Sequence, residues 1–173
     1  TIQAVTTPAL ILEGQGQLPT PTPSPQATLT PERLVIPAID LDAPILSVQP
    51  VEVAYQGEYY LQWVAPDQFA AGWHSTSAPL GQTGNTVFIG HHNIAGEVFR
   101  HLVDLQEGDR ILVVGGGKTF TYQVSIKTIL PERDQPIDVR LQNATWIMPS
   151  EDERLTMVTC WPYQSNTHRL VVV

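Results

Sequence analysis

Three residues with side chains suited to acyl-transfer chemistry stand out in this 173-residue chain: a thiol, an imidazole and a guanidinium. Cys160 is the only cysteine. A thiolate is an effective nucleophile when a base lies nearby and a donor stabilises the charge that develops on the attacked carbonyl. His91, directly after Gly90, and Arg169 are the candidates for the base and the donor.

The segment around Cys160 predicts a strand that presents the thiol at its end. Residues 155–160 alternate between two faces, which is typical of a strand. Pro162 lacks an N–H, so the strand should stop close to Cys160. Arg169 then opens a β-branched apolar run, which predicts a second strand. A loop between the two strands would bring Arg169 beside Cys160, although a lone cysteine is most often a small buried hydrophobe.

His91 differs from the other histidines by its position at the end of an apolar run, residues 86–90. Adjacent residues near a strand end point in opposite directions. At most one of His91 and His92 can therefore face Cys160. If the alternation of residues 86–90 continues through residue 91, His91 faces the thiol and His92 faces solvent or a loop carbonyl, but a glycine at position 90 can break the alternation. The chain has no pair of histidines at i and i+4, which disfavours a zinc site, so no metal or cofactor is predicted. The remaining histidines, predicted in a loop, on an exposed helix and on the opposite strand face, are His74, His101 and His168.

The composition argues against binding to nucleic acid or to an anionic membrane surface. The formal net charge is −8, and the 9 Lys and Arg residues form no cluster. Both partners would require a basic face. No apolar run is long enough to span a bilayer, and one cysteine cannot form an internal disulfide. The chain begins at Thr1 with no signal peptide, so we expect that an N-terminal membrane anchor is missing from it.

Composition divides the chain into a Pro/Thr-rich stalk or linker, residues 1–30, and a folded domain, residues 31–173. Between residues 18 and 25 the stalk alternates proline with threonine and serine, which favours an extended polyproline conformation. An apolar stretch at residues 9–12 leaves open the alternative that this segment packs across the domain surface.

Many short strands with turn residues between them predict a mainly β domain, either a barrel or a sandwich. The predicted strands are residues 34–41, 44–48, 86–90, 110–114, 119–129, 155–160 and 169–173. In the arm at 119–129, alternation directs Phe120, Tyr122, Val124 and Ile126 inward.

Three other segments are predicted to lack strands. Residues 98–105 have apolar positions at helical spacing, which predicts one short helix. Residues 50–75 are rich in aromatic side chains and are expected to be irregular. Residues 131–153 form a long connection, and such connections in compact domains are usually functional or mobile.

At three places the sequence resembles the bacterial sortases, which are cysteine transpeptidases of the cell envelope. The run Thr-Met-Val-Thr-Cys, ending at Cys160, matches their Thr-Leu-x-Thr-Cys signature with a volume-conserving methionine in place of leucine. Gly90-His91 follows an apolar strand, and Arg169 opens the last strand, as in the family. The motifs occur in the family's order, the resemblance covers residues 31–173, and it is closest to classes D and E.

The resemblance implies a closed eight-stranded sortase-type β-barrel with short helices. It implies that Cys160 attacks a backbone carbonyl of a sorting motif similar to Leu-Pro-x-Thr-Gly and forms a thioester. His91 would protonate the departing amine and later take a proton from the incoming amine, while Arg169 would donate to the substrate carbonyl and oxyanion. The candidate groove residues that would contact the motif are Thr159, Ile137, Val139, Leu141, Trp146 and Ile147. For those in the connection at 131–153, an equally weighted alternative is that they only cap the barrel.

The same resemblance implies partners and a location. The partners would be sorting-motif peptides of secreted proteins and an amine acceptor in the cell envelope or on a pilin. The enzyme would act outside the cytoplasm, at the envelope. Two other classes remain open: a cysteine peptidase that only hydrolyses, and a non-catalytic envelope β-module with an inert buried thiol. A papain-like arrangement is disfavoured because such proteases place the cysteine before the histidine.

Overall fold

The computed structural model of the protein describes residues 28–55 and 57–173. The predicted stalk, residues 1–30, lies outside the described residues except for its last three. Of these, Leu29 packs against the core, and its carbonyl accepts a hydrogen bond from the Leu80 amide at 3.2 Å. No helix in the described part of the chain is long and apolar enough to cross a membrane.

The described residues are mainly β, as predicted, with nine strands in one sheet and two in a separate hairpin. The strands are β1 (Arg33–Ile36), β2 (Leu41–Val48), β3 (Pro50–Tyr55), β4 (Glu58–Trp63), β5 (Ala71–His74), β6 (Gly84–Ile89), β7 (Arg110–Gly115), β8 (Lys118–Gln123), β9 (Lys127–Pro131), β10 (Glu153–Trp161) and β11 (His168–Val172). The sheet order is β8-β7-β1-β2-β5-β6-β10-β11-β9, and β3 pairs with β4. The helical elements are α1 (Ile137–Ala144) and 3-10 turns at Pro37–Ile39, Leu102–Asp104 and Thr145–Ile147.

The sheet curls into a half-barrel, so its strand number and its closure differ from the expected closed eight-stranded barrel. The break at residues 124–126 explains why. The amides of Ser125 and Ile126 both donate to the Val173 carbonyl, at 2.8 and 3.1 Å. The chain therefore leaves β8 and forms β9 at the other edge of the sheet, against β11. The single strand predicted for residues 119–129 is therefore two strands, β8 and β9. Ile126, which was predicted to face inward, lies between them and is 42% exposed.

Apolar side chains from the whole domain fill one core inside the curl. Leu34, Phe88, Phe99 and Met157 are fully buried, and burial of each such side chain stabilises the fold by about 1.5–3 kcal/mol. In β10 the predicted alternation holds on the core side, where Leu155, Met157 and Thr159 are buried.

The expectation of an irregular segment at residues 50–75 is wrong, because this segment contains β3, β4 and β5. The residues of β3 and β4 are exposed or half-buried throughout, so the aromatic-rich hairpin carries no one-sided apolar pattern. The connection at 131–153 also contains regular structure. It includes the helix α1, none of whose residues is buried. Because no face of α1 packs in the core, its sequence lacks the row of apolar residues that would have indicated a helix.

The predicted helix at residues 98–105 is also wrong, since the structure has turns there and one 3-10 turn, Leu102–Asp104. Val98, Phe99, Leu102 and Leu105 are all buried, as their spacing suggested. Tight turns can bury positions three or four apart as a helix does, so the spacing alone did not distinguish the two.

Candidate active site

Cys160 and Arg169 lie side by side at the end of a strand pair. β10 and β11 are antiparallel, and Cys160 is directly opposite Arg169. Arg169 Nη1 donates a hydrogen bond to Cys160 Sγ at 2.9 Å. β10 ends at Trp161, directly before Pro162, as the sequence predicts. The guanidinium fork therefore lies within reach of the thiol and of an oxygen that develops charge beside it.

The register of β6 against β10 places the residues that follow β6 near the Cys160 end of β10. The two strands are parallel, and Ile89 pairs with Val158. The Gly90 amide continues the ladder by donating to the Val158 carbonyl at 3.3 Å. β6 ends at Ile89, so His91 lies two residues beyond the last registered pair. Continuation of this register by two residues would place His91 level with Cys160, on a neighbouring strand about 4.8 Å away.

Short contacts fix the backbone on both sides of His91. Thr159 is buried, and its hydroxyl donates to the Gly90 carbonyl at 2.7 Å. The carbonyl of His91 accepts a hydrogen bond from the Phe99 amide at 2.9 Å. A Cβ on residue 90 would lie 2.6 Å from Phe99 Cδ2, so this position requires glycine. Thr159, a candidate for substrate contact, therefore faces Gly90 inside the protein.

His92 is buried inside the protein, beside Trp161 and Tyr163. It is 1% exposed, and its ring centroid lies 5.6 Å from that of Tyr163 and 6.4 Å from that of Trp161. Neither ring nitrogen forms a hydrogen bond of normal geometry with a described residue. Burial lowers the pKa of His92, while the backbone of Pro162 acts in the opposite direction. His92 therefore does not face solvent, and of the two expected environments the effect of the Pro162 backbone agrees with a loop carbonyl.

An open groove of about 350 Å³ adjoins Arg169. Ile89, Val158 and Val171 form part of its floor on the sheet. One wall comes from α1 and the 3-10 turn that follows it. Of the candidate groove residues, those that line it are Ile137, Leu141, Trp146 and Ile147. Val139 and Thr159 are not among its lining residues.

The hairpin of β3 and β4 forms the opposite wall, which the sequence did not reveal. Trp63 stacks on His74 with ring centroids 3.8 Å apart and planes 7° from parallel. Burial lowers the pKa of His74 to about 3, so this imidazole is neutral at physiological pH. The sequence contains a weak indication of β3, because the run Val-Glu-Val after Pro50 alternates between apolar and polar residues as a strand does.

Polar contacts connect the two walls with the end of β9. Arg140 Nε donates to Glu132 Oε1 at 3.1 Å, and its guanidinium lies 5.0 Å from the ring centroid of Tyr55. Asn143 Nδ2 donates to the Pro131 carbonyl at 2.6 Å. The helix, the hairpin and the sheet are thus held together around the groove.

The remaining histidines lie apart from Cys160 and form local contacts. His101 Nδ1 is 2.9 Å from Asp104 Oδ2, and His168 Nδ1 is 2.8 Å from Thr167 Oγ1. Within the described residues there is no group of three or more histidine, cysteine or acidic side chains that could hold a metal ion.

Comparison with known sequences identifies relatives of this chain. The sortase domain family model matches residues 34–173. Sortase SrtE1 of Streptomyces coelicolor is 26% identical over 141 residues, covering 80% of this chain and 38% of that protein. Sortase D of Bacillus subtilis is 25% identical over 130 residues, covering 75% of this chain and 54% of that protein. The matched part is therefore about two fifths to half of the length of these relatives.

Solved structures give the same result for the fold. A lid mutant of sortase A from Corynebacterium diphtheriae matches with a TM-score of 0.60 and 26% identity, covering 85% of this chain and 70% of that one. Sortase C-1 from Actinomyces oris has a similar fold, with a TM-score of 0.61 at 22% identity and coverage of 82% and 70%. Because the family model spans most of the chain and the half-barrel fold agrees with it, this chain belongs to the sortase family.

Proposed function

We propose that this protein is a cysteine transpeptidase in which Cys160 is the nucleophile, His91 the acid and base, and Arg169 the oxyanion donor. The hydrogen bond of 2.9 Å from Arg169 Nη1 to Cys160 Sγ, beside an open groove, carries the proposal. A thiol that served only as a small core residue would not need a charged guanidinium beside it.

The reaction begins when the Cys160 thiolate attacks the carbonyl carbon of the scissile peptide bond. A C–S bond forms, the carbonyl electron pair moves onto oxygen, and Arg169 donates to that oxyanion. The C–N bond then breaks as His91 protonates the departing amine, which leaves a thioester. An incoming amine gives a proton to His91, attacks the thioester and releases the Cys160 thiolate.

The groove supports an extended peptide with apolar side chains as the substrate. Its walls supply Ile137, Leu141 and Trp146, and Leu141 is 54% exposed. Cys160 is not among the lining residues of this groove, but Arg169 lines it and donates to Cys160 Sγ at 2.9 Å, so a peptide bound there would contact the thiol's partner. A Leu-Pro pair in a motif similar to Leu-Pro-x-Thr-Gly would bury its apolar surface against these residues.

The partners proposed on this basis are secreted proteins that carry a sorting motif and an amine acceptor of the cell envelope or a pilin. The site of action is extracytoplasmic, in keeping with the association of the family with the cell envelope. The resemblance is class D/E-like and assigns no subfamily, and association with the membrane would be through an N-terminal anchor.

The test is a peptide-ligation assay on the full chain. A fluorogenic Leu-Pro-x-Thr-Gly peptide and a glycine-based amine are supplied together, and mass spectrometry detects the ligated product and the thioester on Cys160. We expect ligation by the wild type and none by Cys160→Ala. Cleavage by Cys160→Ala at the wild-type rate would reject the mechanism.

The same assay distinguishes the other classes. Cleavage without ligation, across a panel of amines, would indicate a peptidase that only hydrolyses. An uncleaved peptide, together with a thiol that does not react with iodoacetamide, would indicate a non-catalytic β-module.

A further inference from the structure

Two loops flank the Cys160 end of the sheet, and side chains join them directly. The histidine loop, residues 90–101, follows β6, and the return loop, residues 162–167, connects β10 to β11. Asn93 Nδ2 donates to the Tyr163 carbonyl at 2.6 Å and to Asn166 Oδ1 at 3.1 Å. The loop after β6 is thereby tied to the loop after β10.

A second connection, which we call the clasp, consists of Tyr163, Glu97 and Arg100. Tyr163 Oη donates to Glu97 Oε1 at 2.5 Å, and Arg100 Nη1 donates to Glu97 Oε2 at 2.5 Å. The Arg100 guanidinium also lies 5.1 Å from the ring centroid of Tyr163. The hydrogen bond from Tyr163 lowers the pKa of Glu97, so this carboxylate is ionised at neutral pH. Hydrogen bonds to an ionised acceptor are stronger than neutral ones.

The clasp holds the histidine loop at its most strained turn. Ala95, Gly96 and Glu97 have φ values of 52°, 84° and 58°, all in the left-handed region. Residues other than glycine rarely adopt this conformation, and two of the three are not glycine. Strained backbone persists where surrounding contacts over-determine it. Glu97 is both the last residue of this turn and the centre of the clasp.

The position of His91 depends on this loop. Its imidazole makes no hydrogen bond within the described part of the chain, so its backbone determines where it lies. The ladder of β6 with β10 ends at Gly90, and beyond it the His91 carbonyl is held by the Phe99 amide at 2.9 Å. Phe99 directly precedes Arg100 of the clasp, so movement of the loop away from Tyr163 would release His91.

We propose that the clasp anchors the histidine loop to the return loop and thereby positions His91 beside Cys160. Tyr163, Glu97 and Arg100 are then positioning residues, which touch neither the substrate nor the reacting atoms. The anchoring is independent of the activity, whereas its catalytic consequence rests on the proposed transpeptidase function.

The test compares Tyr163→Phe with Tyr122→Phe in the full chain. Tyr122 is the matched control, since its Oη donates to Glu153 Oε1 at 3.0 Å in a tyrosine–glutamate pair on another part of the sheet. For Tyr163→Phe we expect kcat to fall about tenfold or more, because a bond to a charged group is lost, with KM unchanged within about twofold. Tyr122→Phe should leave both within about twofold.

Variants of Glu97 check that the clasp acts as one unit. Glu97→Gln keeps an oxygen that can accept from Tyr163, so it should retain more activity than Glu97→Ala. The double variant Tyr163→Phe/Glu97→Ala should have a kcat no lower than that of the less active single variant, because both substitutions remove the same hydrogen bond. Fully additive losses in kcat would overturn the clasp.

Hydrogen exchange tests the anchoring without any substrate. In Tyr163→Phe the amides of residues 91–101 should exchange about tenfold faster, while those of β10 keep their protection. Exchange equal to that of Tyr122→Phe, or a rise in KM in place of the fall in kcat, would overturn the proposal. If the wild type shows no turnover, the transpeptidase function fails and exchange alone still decides whether the clasp anchors the loop.

Discussion

Replacing Arg169 by lysine isolates what the guanidinium geometry contributes, because the positive charge is kept. Nη1 donates to Cys160 Sγ at 2.9 Å, which leaves the other N–H groups of the fork for the substrate. A lysine ammonium is a compact point charge and cannot reach sulfur and oxyanion as a planar fork does. One oxyanion donor is worth about 2.7–4 kcal/mol, or roughly 10²–10³ in rate. We expect kcat/KM of Arg169→Lys to fall by that factor.

The assay measures initial rates of sorting-peptide cleavage over a range of concentrations, so that kcat and KM are obtained separately. The loss should lie mainly in kcat, because the interaction strengthens as the oxyanion forms. Arg154→Lys is the matched control, since Arg154 lies on the same strand and pairs with Asp152 at 2.7 Å in an exposed position. A loss below about threefold for Arg169→Lys would mean that this arginine is a structural strand residue.

Three further predictions concern three histidines and Gly90. His91→Ala should abolish ligation with little change in melting temperature. His92→Ala should keep the activity but have a lower melting temperature, because the substitution leaves a cavity at a buried position. The reverse pattern of activity would assign the acid to His92. Burial lowers the pKa of His74 from 6.5 to about 3. The free energy of unfolding is therefore highest above pH 6.5, and it falls as the pH decreases towards 3, because the unfolded chain binds a proton at His74 that the folded chain does not. Between pH 7 and pH 5 the free energy of unfolding in urea should fall by about 2 kcal/mol more for the wild type than for His74→Phe. The same pH dependence of this free energy in both proteins would contradict the prediction. Gly90→Ala should destabilise by about 1–3 kcal/mol through its clash with Phe99, and an unchanged unfolding midpoint would show that the loop adjusts freely.

The strands next to the thiol could be predicted because their residues specify both periodicity and an end point. β10 alternates and stops before Pro162, and β11 is a β-branched run opened by Arg169, so the pairing of Cys160 with Arg169 required only a short loop. Two of the segments that were predicted wrongly, the hairpin and α1, have no one-sided apolar pattern. The hairpin of β3 and β4 is exposed on both faces, and α1 buries no residue, so tertiary contacts determine where they lie.

The proximity of His91 to Cys160 could not be derived from local sequence. It depends on the parallel pairing of β6 with β10, and no residue pattern states which strand pairs with which. Only the likeness to a family suggested it. The groove was predicted in part: the likeness to the family and the apolar residues of the connection at 131–153 suggested that this connection lines it, but its helix α1 and the turn after it were not predicted. Its opposite wall was missed together with the hairpin.

The pairing of β6 with β10 also determines when the active site can exist during folding. The proposed catalytic pair is 69 residues apart in the chain, and closing a loop of that length costs about 4 kcal/mol of chain entropy. Parallel pairings between distant segments form slowly. A chain in which only β1 to β9 have formed has a thiol with neither an imidazole nor a guanidinium beside it. Under the proposed function, a partly folded chain therefore lacks the groups that would activate Cys160, and these groups come together only in the native fold.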